Sequence, residues 1–236
     1  EAKNLAVELL RSVRIPEAET AIDRYPHELS GGMRQRVSIA IALACSPKLL
    51  FADEPTTALD VTVQHQILNL LGMQQQERSM AMVLVTHDLG VVAGRTDEIL
   101  VMYAGKIVEK AKTAEIFHTT EHPYTEALLR SIPKTDQPSH TRLAAIAGRP
   151  PTLIEITKGC SFSPRCPYAQ ERCFEEEPVL EETSPDHYTA CWYRVGTPEN
   201  QEAWDKNLAA GRLSTLAIDQ GHIVDDVPVN VGSGGN

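Results

Sequence analysis

An acidic pair, Asp53 and Glu54, stands at the end of the apolar run Leu49 to Ala52. An α/β sheet gathers its ligands at the carboxyl ends of its strands, where one carboxylate can hold Mg2+ mostly through water and a neighbour can polarise an attacking water. Asp53 fits the first task and Glu54 the second. A second apolar run, Met82 to Val85, leads into Thr86-His87-Asp88 and sets His87 on the same sheet edge. A neutral imidazole there can donate to a phosphate and also touch Glu54 or the water. Upstream, in Leu29-Ser30-Gly31-Gly32, Ser30 caps a helix whose first N–H groups two glycines leave open, the makings of an anion site. Singly, each piece has a plainer meaning: Asp-Glu after a strand is often an exposed loop, and Ser-Gly-Gly a turn. In this order, with Ala58-Leu59-Asp60 following, the pieces point to nucleotide chemistry.

A second set is sulfur. Four of the five cysteines, Cys160, Cys166, Cys173 and Cys191, follow the spacing C-x5-C-x6-C-x17-C. Clustered thiols in a chain with no export signal argue for a metal rather than disulfides. No C-x-x-C knuckle of the zinc kind is present, and all-thiolate ligation on loops with Pro167 after Cys166 favours iron–sulfur. Zinc or no metal are the alternatives. His187 could replace a thiolate ligand but reads more simply as a surface residue, and Arg165 could offset thiolate charge. Cys45 reads as a small core residue at the end of the glycine-led helix.

The elements that must position these groups alternate helix and strand. Leu5, Leu9 and Val13 mark an amphipathic helix that stops near Pro16. The helix opened by Gly31-Gly32 places Met33, Val37, Ala40 or Ile41 and Ala44 on one face and closes before Pro47. Strand Leu49–Ala52, a helix over 61–77 and strand Met82–Val85 follow, the strands uninterrupted by polar residues as parallel strands covered on both faces are. Glu98–Met102 and Lys106–Glu109 form a hairpin around Gly105, and two short helices lie within 113–131. Residues 133–158 read as a Pro, Thr and Ser-rich connector, and the chain beyond Gly196 as a polar tail with little claim to structure.

Composition sets the outer limits. The formal net charge is -10, with 32 acidic against 22 basic residues and no basic cluster, which disfavours nucleic-acid binding. No apolar run approaches the ~20 residues of a membrane helix. The first residue is Glu1, which suggests a piece cut at its amino end.

The four strings resemble the ATPase subunits of ABC transporters. On that resemblance Leu29 to Gly32 is the signature motif, Asp53 the Walker B carboxylate, Glu54 the catalytic base, Ala58–Asp60 the D-loop and His87 the switch histidine. The resemblance further implies ATP contacts at Ser30, Gly31, Gly32, Gln35 and Asp60, and ATP with Mg2+ as ligands. The family's P-loop, Gly-x-x-x-x-Gly-Lys-Ser/Thr, does not occur in the 236 residues, so tight ATP binding is not expected of this chain alone.

Three strings narrow the resemblance to dipeptide and oligopeptide importers: Asp53 to Gln64, His122-Pro123-Tyr124 to Leu129, and Gly159-Cys160 to Pro167. Gly31 to Arg36 and Pro55 to Asp60 resemble the D-type subunit. For this subfamily the cysteine segment implies a [4Fe-4S] cluster in some members. The implied partners are a second, F-type ATPase, two membrane permease subunits and, indirectly, an extracytoplasmic peptide-binding protein, at the cytoplasmic face of the membrane. The expected organisation is a P-loop-type α/β ATPase part with a parallel sheet over 1–112, a loop-rich carboxyl-terminal region with the cysteines over 113–195, and the tail over 196–236. His122 and Tyr124 read as the start of a helix with a packed ring. A soluble, non-transport ABC ATPase, or a metal-binding module with a vestigial ATPase, are the competing readings.

Overall fold

The computed structural model describes residues 1–132, 146, 148–149 and 158–213. The expected connector lies almost wholly outside the described residues, as does the tail beyond residue 213. The chain divides into two compact units, Glu1–Asp88 and Leu89–Asn236.

In the first unit, helices α1 (Ala2–Ser12), α2 (Ala18–Ala21) and α3 (Gly31–Leu43) precede strand β1 (Leu49–Asp53), helix α4 (Val61–Glu77) and strand β2 (Ala81–Val85). Ser30 caps α3 by accepting from the Met33 N–H, and Asp60 caps α4 by accepting from the Val63 N–H. The two strands pair in parallel, Leu49 opposite Ala81 and Asp53 opposite Val85, so their carboxyl ends lie side by side. Val13, Leu43, Ile67, Leu70 and Leu71 make the core.

Three expectations are corrected here. On α3 the buried residues are Ile39, Ala40 and Leu43, while Ile41 is 71% exposed. The Val37, Ile41 and Ala44 stripe lines an open apolar groove shared with α1, of about 340 Å3. Cys45 is exposed rather than core, because α3 ends at Leu43 and Ser46 turns the chain with φ of 48°. Among the described residues the parallel strands are covered on one face: Leu50 and Ala52 point into the core, whereas Leu49, Phe51, Val83 and Val85 are exposed. α3 and α4 supply the covered side.

In the second unit, α5 (Leu89–Val92), β3 (Glu98–Tyr103), β4 (Lys106–Lys112), α6 (Thr113–His118) and α7 (Pro123–Arg130) are followed by α8 (Glu171–Glu175), β5 (Glu181–Ser184), β6 (His187–Thr189) and α9 (Pro198–Ala209). The four strands form an antiparallel sheet in the order β3-β4-β6-β5. Ala104 and Gly105, with φ of 48° and 81°, make the two-residue β3–β4 turn, whose two positive φ values match strand twist. α9 replaces the start of the expected structureless tail. Thr197 caps it, and Trp204 and Ala203 pack on Tyr168. Asn200, Ala203, Trp204 and Asn207, at i, i+3, i+4 and i+7, form one buried helix face within a polar composition.

Candidate functional site

The end of β1 and the end of β2 meet at the predicted carboxylate and histidine. Glu54 is the first residue past β1, in the left-handed region with φ of 43°, and its N–H donates to the Val85 carbonyl at 2.9 Å. That bond extends the ladder by one residue while the positive φ turns the side chain out of the strand's alternation. His87 Nδ1 lies 3.0 Å from Glu54 Oε1, and the Thr57 hydroxyl donates to Oε2 at 2.8 Å. The Thr57 hydroxyl, and after it His87, hold the Glu54 carboxyl below the usual carboxylate value. The group is an anion, partly exposed at 44%, and able to accept a proton from water.

An ionised carboxylate only accepts, so the His87 contact requires Nδ1–H. A neutral ring then presents Nε2 as an acceptor. The expected donation to a phosphate from that nitrogen therefore needs the imidazolium, or a break from Glu54.

Asp53 ends β1 on its exposed face, beside Leu49 and Phe51. A single exposed carboxylate is a suitable hard oxygen donor for Mg2+ held largely through water. Gly31 and Gly32 sit where α3 meets α4 and the turn before it. A Cβ on Gly32 would come 2.8 Å from Val63 Cγ1, and one on Gly31 would touch Leu59 Cδ2 at 3.5 Å. Gly32 is thus needed for close helix packing as well as for an open helix start. Gln35 is half-buried on the second turn of α3. The Asp60 carboxylate is engaged by the Val63 N–H at 3.0 Å. All of these residues belong to the first unit.

The second unit contains a polar cluster that the sequence did not announce. Glu109 on β4 has no exposed side-chain surface, and His187 on β6 is 2% exposed. Glu109 Oε1 accepts from His187 Nε2 at 2.9 Å and from the Glu121 N–H at 2.6 Å; Oε2 accepts from the Thr120 hydroxyl and the His122 N–H. Burial pushes the Glu109 carboxyl up, but these donors more than offset it and its pKa is lowered. The Glu109 bond raises that of His187. His187, read from sequence as a surface residue, is a buried ion partner. His122 is also buried; its Nδ1 accepts from the Tyr124 N–H at 3.1 Å, and burial lowers its pKa to about 4, so it is neutral. Tyr124 packs against Tyr103 and Phe162 at ring separations of 4.7 and 5.4 Å. The His-Pro-Tyr string is accounted for by helix capping and packing.

All four clustered cysteines line one cavity of about 20 Å3 together with Phe162, Tyr168 and other side chains. Gly159 lets the segment close: a Cβ there would lie 2.3 Å from the Cys173 carbonyl oxygen, while the Cys160 N–H donates to that oxygen at 2.8 Å. Burial raises all four thiol pKa values, most strongly at Cys166 and Cys191. In donor number and softness the set suits an all-thiolate centre. Among the described residues no group of three or more His, Cys, Asp or Glu is drawn into metal-holding geometry. Arg165 donates to the Tyr103 hydroxyl and the Ile146 carbonyl.

Comparison with known proteins agrees with the motif order. Residues 1–57 match the family described as "ABC transporter", and residues 108–173 the family described as "Oligopeptide/dipeptide transporter, C-terminal region". The chain is 52% identical over 192 residues to a probable peptide ABC transporter ATP-binding protein of Sinorhizobium fredii, covering 81% of this chain and 57% of that one. It is 50% identical to the oligopeptide transport ATP-binding protein OppD of Salmonella typhimurium, covering 83% and 58%, and 52% identical to the dipeptide transport ATP-binding protein DppD of Escherichia coli, covering 80% and 57%. The chain thus spans somewhat more than half the length of these relatives. Among solved structures, the dimeric post-hydrolysis ATP-binding cassette MJ0796 bound to ADP and Pi is 35% identical over 47% of this chain and 46% of that one, with a TM-score of 0.41. In its Ser-Gly-Gly helix start, its Asp-Glu strand end and its His-Pro-Tyr region, this chain is similar to the ATP-binding proteins of ABC transporters, of the oligopeptide and dipeptide type.

Proposed function

We propose that the chain is part of an ATP-hydrolysing subunit that powers uptake of peptides or related small solutes through a membrane transporter. The observation that carries the reading is the Glu54 carboxylate held by His87 and Thr57 at the joined ends of β1 and β2. Glu54 accepts a proton from water as the water oxygen bonds to the γ-phosphorus and the bond to the ADP oxygen breaks, its electron pair leaving with ADP. Asp53 would hold Mg2+ largely through water, and the ion would supply neutralisation of phosphate charge. Ser30, Gly31 and Gly32 present the α3 N-terminus to a nucleotide held by the partner ATPase, with Gln35 and Asp60 alongside, so that two ATP sites form between two ATPases. The chain lies at the cytoplasmic face of the membrane, where its partners are an F-type ATPase and two permease subunits and, through the permeases, an extracytoplasmic peptide-binding protein. No helix among the described residues is long and apolar enough to cross a membrane.

The testing experiment is ATP turnover by the full-length protein. Glu54→Gln should retain ATP binding and lose hydrolysis, and undiminished hydrolysis would remove Glu54 as the base.

Cys160, Cys166, Cys173 and Cys191 are proposed as the ligands of a [4Fe-4S] cluster, with zinc as the alternative. Such a centre would staple a loop-rich segment, and the shared cavity supports the grouping. Anaerobically purified protein should be brown and contain iron. Colourless protein with stoichiometric zinc would favour the alternative, and metal-free protein would remove both.

A further inference from the structure

Glu54 has a long side chain that is 44% exposed, so its carboxylate has room to swing into solvent. Two contacts oppose that freedom. His87 reaches Oε1 from a ring that is itself 78% exposed. Thr57 reaches Oε2 from within the same turn: its N–H returns to the Glu54 carbonyl at 3.2 Å and its hydroxyl to the carboxylate at 2.8 Å. Backbone and side chain of Thr57 thus converge on one residue. A β-branched side chain is stiff about χ1, so the hydroxyl is aimed by the backbone and does not depend on a mobile ring. The turn is shaped for this, since Glu54 and Ala58 both have positive φ, 43° and 61°.

We propose that Thr57 is a positioning residue for Glu54, fixing Oε2 so that Oε1, shared with His87, faces the attacking water. The inference rests on the reading of Glu54 as the water-polarising base. Thr57 touches neither nucleotide nor water in this scheme; it acts through Glu54. A residue that served only the turn would keep its N–H to the Glu54 carbonyl when the hydroxyl is replaced, and turnover would not change.

Thr57→Val in the full-length protein preserves shape and β-branching and removes only the donor. The expected result is a fall in kcat on the order of ten-fold with the KM for ATP unchanged, because misaimed catalytic groups cost rate rather than binding. Thr57→Ser should restore most of the rate. In a Glu54→Gln background Thr57→Val should lower turnover no further, since the two residues act as one unit. A Thr57→Val enzyme with wild-type kcat, one whose only change is a higher KM, or one that Thr57→Ser does not rescue would overturn the proposal. The underlying reading fails separately: it falls if Glu54→Gln alone hydrolyses ATP at the wild-type rate.

Discussion

Two glutamate–histidine pairs of nearly equal length lie in the two units. Glu54 and His87 stand 3.0 Å apart with side chains 44% and 78% exposed; Glu109 and His187 stand 2.9 Å apart and are 0% and 2% exposed. Burial decides what each can do. Water reaches the first pair, so its carboxylate can take a proton and its energy of interaction is small. The second pair is sealed among backbone N–H groups and hydroxyls, and removing either member strands a charge.

Crossed substitutions should separate the two roles. Glu54→Gln should lower ATP turnover of the full-length protein by roughly 100- to 10,000-fold, the usual worth of a general base. Its unfolding free energy should stay close to that of wild type, as for a surface substitution. Glu109→Ala should do the reverse, costing about 3–5 kcal/mol of stability by chemical denaturation because His187 is left buried and unpaired. If the two variants behaved alike, the contrast in burial would have no functional meaning.

The glycines sharpen the same contrast. Gly159→Ala meets backbone at 2.3 Å, whereas Gly32→Ala meets a valine methyl at 2.8 Å. Backbone cannot step aside, so Gly159→Ala should cost about 3 kcal/mol or more and Gly32→Ala about 1–2 kcal/mol, the lower part of the overpacking range. Thermal unfolding of both variants would check the order.

The smallest expected effect is in pH. His187 has its pKa raised above 6.5, so its contribution is complete below that value and is lost as pH rises through the folded pKa. Glu109 has its pKa lowered below 4.5, so its contribution is complete above that value and is lost as pH falls through the folded pKa. The pair therefore contributes most between 4.5 and 6.5 and fades on either side. Wild-type stability should show this plateau across a pH series, and a His187→Gln protein should lose the alkaline fall.

Legibility in the sequence follows the range of the interactions. Leu49–Ala52 and Met82–Val85 announce strands because their apolar residues are contiguous, and the capping of α3 and α4 needs only Ser30 and Asp60 with the N–H groups three residues on. Glu54 and His87 were legible as neighbours because each follows a parallel strand end. Thr57 was not, since a hydroxyl three residues beyond a glutamate has many uses and only the positive φ at Glu54 turns the carboxylate back to it. Glu109 lay hidden for another reason. Lys106, Glu109, Lys110 and Lys112 make β4 read as a solvent-facing strand, and burial of Glu109 depends on His187, 78 residues later. Distance along the chain also hid the face of α3 that is buried, which Ile67 and Leu71 of α4 help to determine.

The position of β6 bears on how this chain can be recombined with its relatives. β4 is hydrogen-bonded on one edge to β3 and on the other to β6, with the Ala190 N–H on the Val108 carbonyl just past the last pair. The cysteine-bearing stretch is thus woven into the sheet rather than appended to it. A graft that exchanges the carboxyl-terminal part between two transporters cuts through that sheet. It must carry position 109 along with position 187, or the chimera will meet a foreign partner at a carboxylate that has no route to water.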